Sequence, residues 1–347
     1  ALPEGYADGV WAVVTERTES DITFLAPGGY PASTTEVKLF RRGKAMTLGK
    51  ISVSDGRPPE EPSLYGITQY DCDETGIDRL DLTTCDPTRI ETLGVLRRMH
   101  CVVNTPGARR IYGLAPGGNI GAAAFYDLTM RYFRDSGYDN VVVAGTLSDF
   151  AAFLRHEAGR LVLMELNMTR TNVAPVPPSW MLPSDIAPEM LGENPFVTVY
   201  GGYLLLVAHT APDSYTPLVL TGRSGEGYAV KTGDAEQADA MVPFGVLDKG
   251  QDGETYYAVG GYAVAKGGVT ELRLYNPVSM EFDRTLAAVQ GTVRSIAVRH
   301  DGGKTEELFM LCDTGDGGNR IRVYDMESGS ERVLDGAVPC SEIVLAR

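Results

Sequence analysis

Three of the chain's four histidines stand where an imidazole can move a proton or hold a metal near neutral pH. His156 and His209 are each the sixth residue after the opening of an apolar two-stranded pattern, in successive units. His100 lies at the start of the apolar run MHCVVN. Beside a carboxylate, any of the three suits the acid–base work of a hydrolase or lyase, although with 46 acidic residues the mere presence of carboxylates selects nothing. Equivalent strands of neighbouring units stand more than one sheet spacing, ~10 Å, apart, too far for His156 and His209 to share an ion. The acidic turns DCDETGID at Asp71 and DTGDGGN at Asp313 lack the alternating oxygens and terminal Glu of an EF-hand loop. Asp, Gly and Asn there serve tight-turn hydrogen bonds and positive φ. Five cysteines without a Cys-x-x-Cys pair read as buried thiols rather than a zinc site. No metal site is expected. Nor is a cofactor, because GYAVKTG and APGGNIG are incomplete as phosphate or dinucleotide loops and Gly-x-Ser-x-Gly is absent.

The elements that must position these residues are hairpins. The last of them reads LFMLCD, then TGDGG, then NRIRVYD: two apolar runs around a Gly-rich turn. Six more lie upstream, and the seven opening residues Trp11, Leu64, Ile111, Phe150, Tyr203, Tyr256 and Leu308 recur every 39 to 53 residues. Each hairpin is followed by a more polar strand, such as EFDRTLAAV from Glu281, then by a nearly continuous apolar run. Those runs are KISVS at Lys50, MHCVVN at Met99, NVVVAG at Asn140, PFVTVY at Pro195, MVPFGVL at Met241, VRSIAV at Val293 and EIVLAR at Glu342. Apolar character on both faces marks strands buried between neighbouring sheets. The segment SDFAAFLRHEAG from Ser148 also allows a helix capped by Ser148 and ended by Gly159, but FAAFLRH and RLVLMEL around EAG fit the hairpin template.

Four strands per ~50 residues, repeated seven times, predict an all-β protein: a seven-bladed β-propeller of four-stranded antiparallel blades. The chain begins inside a unit near Val10 and ends just after an inner strand. EIVLAR is therefore expected to complete the sheet begun by residues 10–42 and close the ring, making residues 1–347 a single domain.

A formal net charge of -15 and no basic cluster larger than a pair argue against a nucleic-acid surface. No apolar run reaches the ~18 residues a membrane span needs. Sparse, odd cysteines lean toward a cytoplasmic compartment, whereas the Ala-Leu-Pro start and the sequon at Asn167 permit secretion.

The strand endings RLYNPVSM at Arg273 and RVYDMESG at Arg322 resemble the strand-plus-turn motif of seven-bladed propellers of the WD40, YVTN and quinoprotein-like type. The resemblance spans the chain and implies that ligands bind where the central hairpin turns and the connections to the next inner strand share one face. On that face one connection is long, PVPPSWMLPSDIAPEMLGEN from Pro175 to Asn194. A loop of about 20 residues within a compact repeat is usually a lid or an interaction surface. Its Trp180, Met181, Leu182, Met190 and Leu191 must be covered by something. The leading expectation is a non-catalytic binding or scaffold module that holds a protein or extended polymer through this face. The alternative is a propeller hydrolase or lyase at the channel mouth, using His100, His156 or His209.

Overall fold

In the computed structural model the strands are described from Val13 onward, the connections mainly after residue 178, and side chains over 63–68, 76–88 except 83, Leu114 and, with gaps, 140–345. The chain opens with β1 (Val13–Arg17), β2 (Ile22–Leu25), β3 (Thr34–Arg41) and β4 (Lys44–Ser52), paired as two hairpins that form two-stranded sheets. Six further sheets follow. The first holds β5 (Ser63–Gln69), β6 (Glu74–Leu80) and β7 (Pro87–Gly94). Then come β8 (Arg97–Thr105), β9 (Ala108–Ala115), β10 (Ala122–Asp127) and β11 (Tyr132–Asp139). The third comprises β12 (Val141–Leu147), β13 (Phe150–Glu157), β14 (Arg160–Glu165) and β15 (Ser179–Met181). The fourth has β16 (Val197–Val199), β17 (Tyr203–Ala211), β18 (Ser214–Thr221) and β19 (Ala229–Thr232), with β20 (Glu236–Gln237) added on β18. The last two contain β21 (Ala240–Lys249), β22 (Tyr256–Lys266), β23 (Val269–Asn276) and β24 (Glu281–Gln290), then β25 (Thr292–Asp301), β26 (Lys304–Asp313), β27 (Asn319–Asp325) and β28 (Glu331–Val333). Finally β29 (Glu342–Ala346) pairs antiparallel with β5, so that five sheets have four strands and the one with β20 has five.

This is a β-propeller of antiparallel blades. The inner strands β29, β8, β12, β16, β21 and β25 each touch the next, and β25 returns to β29. Side chains, not ladders, join one blade to its neighbour. Among the described side chains apolar clusters fill four of these interfaces, as where Val142, Leu154 and Leu161 of one blade meet Leu204, Leu206 and Leu218 of the next. Backbones also approach directly: Gly145 bridges Phe196 in parallel, and a Cβ on Gly145 would lie 2.4 Å from the Phe196 carbonyl oxygen. Only glycine lets β12 and β16 come so close.

Local chemistry explains the turns. In the β13–β14 hairpin both central residues, Ala158 and Gly159, have positive φ (49° and 80°), and the Gly267–Gly268 pair joining β22 to β23 repeats this (59° and 78°). Such turns match the twist of paired strands. The helix alternative at Ser148 is thereby excluded. In both motifs quoted above, an Asx side chain closes the turn. Asn276 Oδ1 accepts the N–H groups of Val278 (2.9 Å) and Ser279 (3.2 Å), and Asp325 Oδ1 accepts those of Glu327 (3.1 Å) and Ser328 (2.7 Å). The Ser328 bonds hold the Asp325 carboxyl below its usual value. The tyrosines of the same motifs reach the preceding blade: Tyr324 Oη donates to the Leu286 carbonyl at 3.2 Å, and the Tyr275 hydroxyl lies where a Cβ on Gly233 would be 2.4 Å away.

Two expectations are corrected. The blades do not number seven, because the Val10 hairpin and the run KISVS belong to β1–β4, which pair only among themselves. Alternating apolar runs around a turn describe any antiparallel pair, whichever sheet it joins. And EIVLAR, as β29, pairs with β5 rather than with residues 10–42. Among the described residues the four-stranded and five-stranded sheets therefore begin at β5, with β1–β4 before them in two-stranded pairs.

Candidate functional site

The central hairpin turns and the connections leading to the next inner strand share one end of the propeller. There, in the fourth blade, His209 near the end of β17 pairs across the hairpin with Tyr215 of β18. Their rings stack, 4.6 Å between centroids at 8°, which fixes both as a flat wall. Ala238 N–H donates to the Asp213 carbonyl (2.9 Å), and Gly267 N–H donates to Asp239 Oδ2 (2.7 Å), tying the turn and the connection to the neighbouring blade. Together His209, Thr210, Ala211, Pro212, Asp213, Tyr215 and Asp239 line an open depression of about 570 Å³. Two carboxylates and a half-buried imidazole give it an acidic, hydrogen-bonding character suited to a basic or donor-rich group, or to proton transfer.

The other expected histidines are not brought into this depression. His156 occupies the equivalent place one blade earlier, half-buried, but pairs with Leu161 where His209 pairs with Tyr215. His100 falls on β8 at an irregularity in register between Met99 and Cys101; its side chain lies outside the described residues. Among the described residues no group of three or more acidic, histidine or cysteine side chains is arranged to hold a metal.

The long connection divides sharply. Pro175 to Pro178 lie outside the described residues, and Ser179–Met181 is β15, the outer strand of the third blade. Trp180 is 2% exposed, its indole N–H donates to the Thr221 carbonyl at 2.7 Å, and Tyr228 meets its ring edge-on at 5.7 Å. Leu191, in the short 3-10 turn Pro188–Leu191, is buried in the same cluster, with Leu182 and Met190 packed against it. Of the five apolar residues expected to form a surface, only Met181 is largely exposed, at 64%. A three-residue strand is too short for alternation to reveal. The usable signal was bookkeeping: a fourth strand was owed between RLVLMEL and PFVTVY.

Sequence reasoning missed Asp239 and Tyr215, since neither sits at a repeated position. Cys85, Cys312 and Cys340 are buried and none is in a disulfide, while Cys72 and the Cys101 side chain lie outside the described residues. Burial pushes Cys312 and Cys340 from 9.0 up to about 12. Between those values the unfolded chain gives up protons that the folded chain keeps. Stability should therefore fall as pH rises through that window, by roughly 1.4 kcal/mol per pH unit per thiol, and be unaffected by them below it. Urea midpoints followed from about pH 8 to 11 should show a gentler decline in Cys312→Ala than in the parent; parallel declines would refute the assignment.

The fold defines a class: a β-propeller with an open depression at one end, preceded by the two hairpins β1–β4. Residues 64–346 match the DUF4784 WD40-like domain and residues 1–61 the DUF4784 N-terminal Ig-like domain. The chain belongs to the DUF4784 family. A solved DUF4784 family protein from Bacteroides caccae superposes with a TM-score of 0.67 at 22% identity, covering 97% of this chain and 86% of its own. Below it stand a nidogen/laminin complex (0.49, 10%, covering 83% and 99%) and the Pseudomonas aeruginosa periplasmic gluconolactonase PpgL (0.46, 12%, covering 83% and 99%). No curated protein matches the chain.

Proposed function

We propose that the chain is a non-catalytic binding module that holds a protein or extended polymer at the propeller end bearing the His209 depression and residues 182–191. The supporting observation is the depression itself: open, about 570 Å³, walled by the stacked His209–Tyr215 pair and rimmed by Asp213 and Asp239. With a chain charge of -15, the favoured occupant of that rim is a basic, extended peptide segment. A displayed random-peptide library panned on the protein should yield Lys- or Arg-containing binders. His209→Ala and Asp239→Asn should weaken those binders about tenfold with the melting temperature kept. A library giving no His209-dependent binder would count against the proposal.

One observation favours a second reading, a hydrolase or lyase: Asp213 and Asp239 share the depression with His209. On that reading the imidazole is the general base, and turnover of chromogenic ester and glycoside substrates is lost in His209→Ala.

A further inference from the structure

The seam between the last blade and the first carries two thiols that the His209 depression does not involve. Cys85 and Cys340 are 2% and 1% exposed, share one apolar cluster across that seam, and neither is in a disulfide. Cys85 stands in the turn that joins β6 to β7 and departs from Leu80. The turn is held: Cys85 N–H donates to the Asp81 carbonyl at 2.9 Å, and Asp81 N–H to the Asp86 carbonyl at 3.2 Å. Cys85 has φ 59°, in the left-handed region that suits glycine or asparagine. A cysteine kept there at a steric cost, with its side chain in the core, marks a position with a use.

Cys340 stands in the connection from β28 to β29, which runs against the Cys85 turn. A Cβ on Gly336 would lie 2.9 Å from the Thr84 carbonyl oxygen and 3.7 Å from Cys85 Cβ. Further along, the Cys340 Sγ and the Leu80 Cδ1 lie 3.1 and 3.2 Å from the point a Cβ on Gly66 would occupy, which sets the Cys340 sulfur beside Leu80. Burial is the largest cause raising the Cys340 thiol, and among neighbouring charges that of Cys85 raises it more than those of Asp78 and Glu342.

We propose that Cys85 and Cys340 are a redox pair that locks the ring, converted by a low-molecular-weight disulfide such as oxidised glutathione into a bond tying the first blade to the segment entering β29. The Cys85 thiolate, between exposed Thr84 and Asp86, attacks one sulfur of oxidised glutathione, and one glutathione leaves as a thiolate that takes up a proton. The Cys340 thiolate then attacks the Cys85 sulfur of the mixed disulfide, and the second glutathione leaves in the same way. Two protein thiols are oxidised and one glutathione disulfide is reduced to two thiols. In reducing surroundings the seam rests on the β29 ladder and packing alone; in oxidising ones it is covalent.

The test holds the folded full chain in glutathione buffers from reduced to oxidised, then alkylates it and maps its peptides by mass spectrometry. A linked pair of peptides containing Cys85 and Cys340 should accumulate in oxidised buffer and vanish on return to reduced buffer. The oxidised chain should melt roughly 5 °C higher, because the cross-link constrains the unfolded state over most of the sequence. Cys85→Ser, a substitution in a turn, should lose both effects, whereas Cys312→Ala, in a different blade interface, should keep both. A folded chain whose Cys85 and Cys340 both remain open to alkylation after overnight oxidation overturns the proposal, as does a disulfide joining either one to another cysteine.

Discussion

Chains ending at Ser341 should lose cooperative unfolding or melt far below the full-length protein. The deleted strand β29 supplies the inner ladder of the first blade, pairing Glu342–Ala346 against Ser63–Ile67. It also buries Ile343 and Val344, 2% and 4% exposed, between blades. Ser295 stitches it to β25 reciprocally: its hydroxyl donates to the Ile343 carbonyl (3.3 Å) and accepts the Ile343 N–H (3.1 Å). Burying each such aliphatic side chain contributes roughly 1.5–3 kcal/mol. With the ladder added, the loss is comparable to the ~5–15 kcal/mol that holds a typical domain folded. Thermal melts followed by circular dichroism give the answer. A truncated chain that melts within about 2 °C of the parent would refute the role assigned to β29.

Trp180→Ala should destabilise the third and fourth blades strongly, acting on folding before any binding. The side chain is buried among Leu161, Leu191 and Leu220, and its indole N–H is the donor to the Thr221 carbonyl in the next blade. Losing an aromatic of that size costs about 3–5 kcal/mol, and losing a buried donor adds about 1–3 kcal/mol. Trp180→Phe separates the two, keeping much of the packing while removing the N–H. Urea midpoints should fall in the order parent, Phe, Ala. An alanine variant as stable as the parent would mean that Trp180 is not the packed residue described.

The inner strands were the most legible part of the chain. MHCVVN, NVVVAG, PFVTVY, MVPFGVL, VRSIAV and EIVLAR fall on β8, β12, β16, β21, β25 and β29, because burial on both faces leaves an unbroken apolar run. KISVS was read as another such run, yet its first three residues end β4, outside the blades. A strand's partner is a long-range fact that its own residues do not encode. The same limit governed Trp180, whose Pro-rich neighbours read as a loop, and the candidate site. His209 was visible as an equivalent of His156. Its wall, Tyr215, and its rim, Asp239, come from a different strand and a different connection, and only the register joins them.

The pairing of β29 with β5 also sets an order in time. Ser341 and Ile67, joined by hydrogen bonds from the Ser341 N–H and hydroxyl to the Ile67 carbonyl, are 274 residues apart. During synthesis β5 therefore waits, its inner edge an open row of N–H and C=O groups, until β29, some 274 residues further on, has been made. Contacts so distant close late and slowly. The nascent chain thus spends its longest interval with an exposed strand edge, the state most open to intermolecular pairing and most in need of a chaperone.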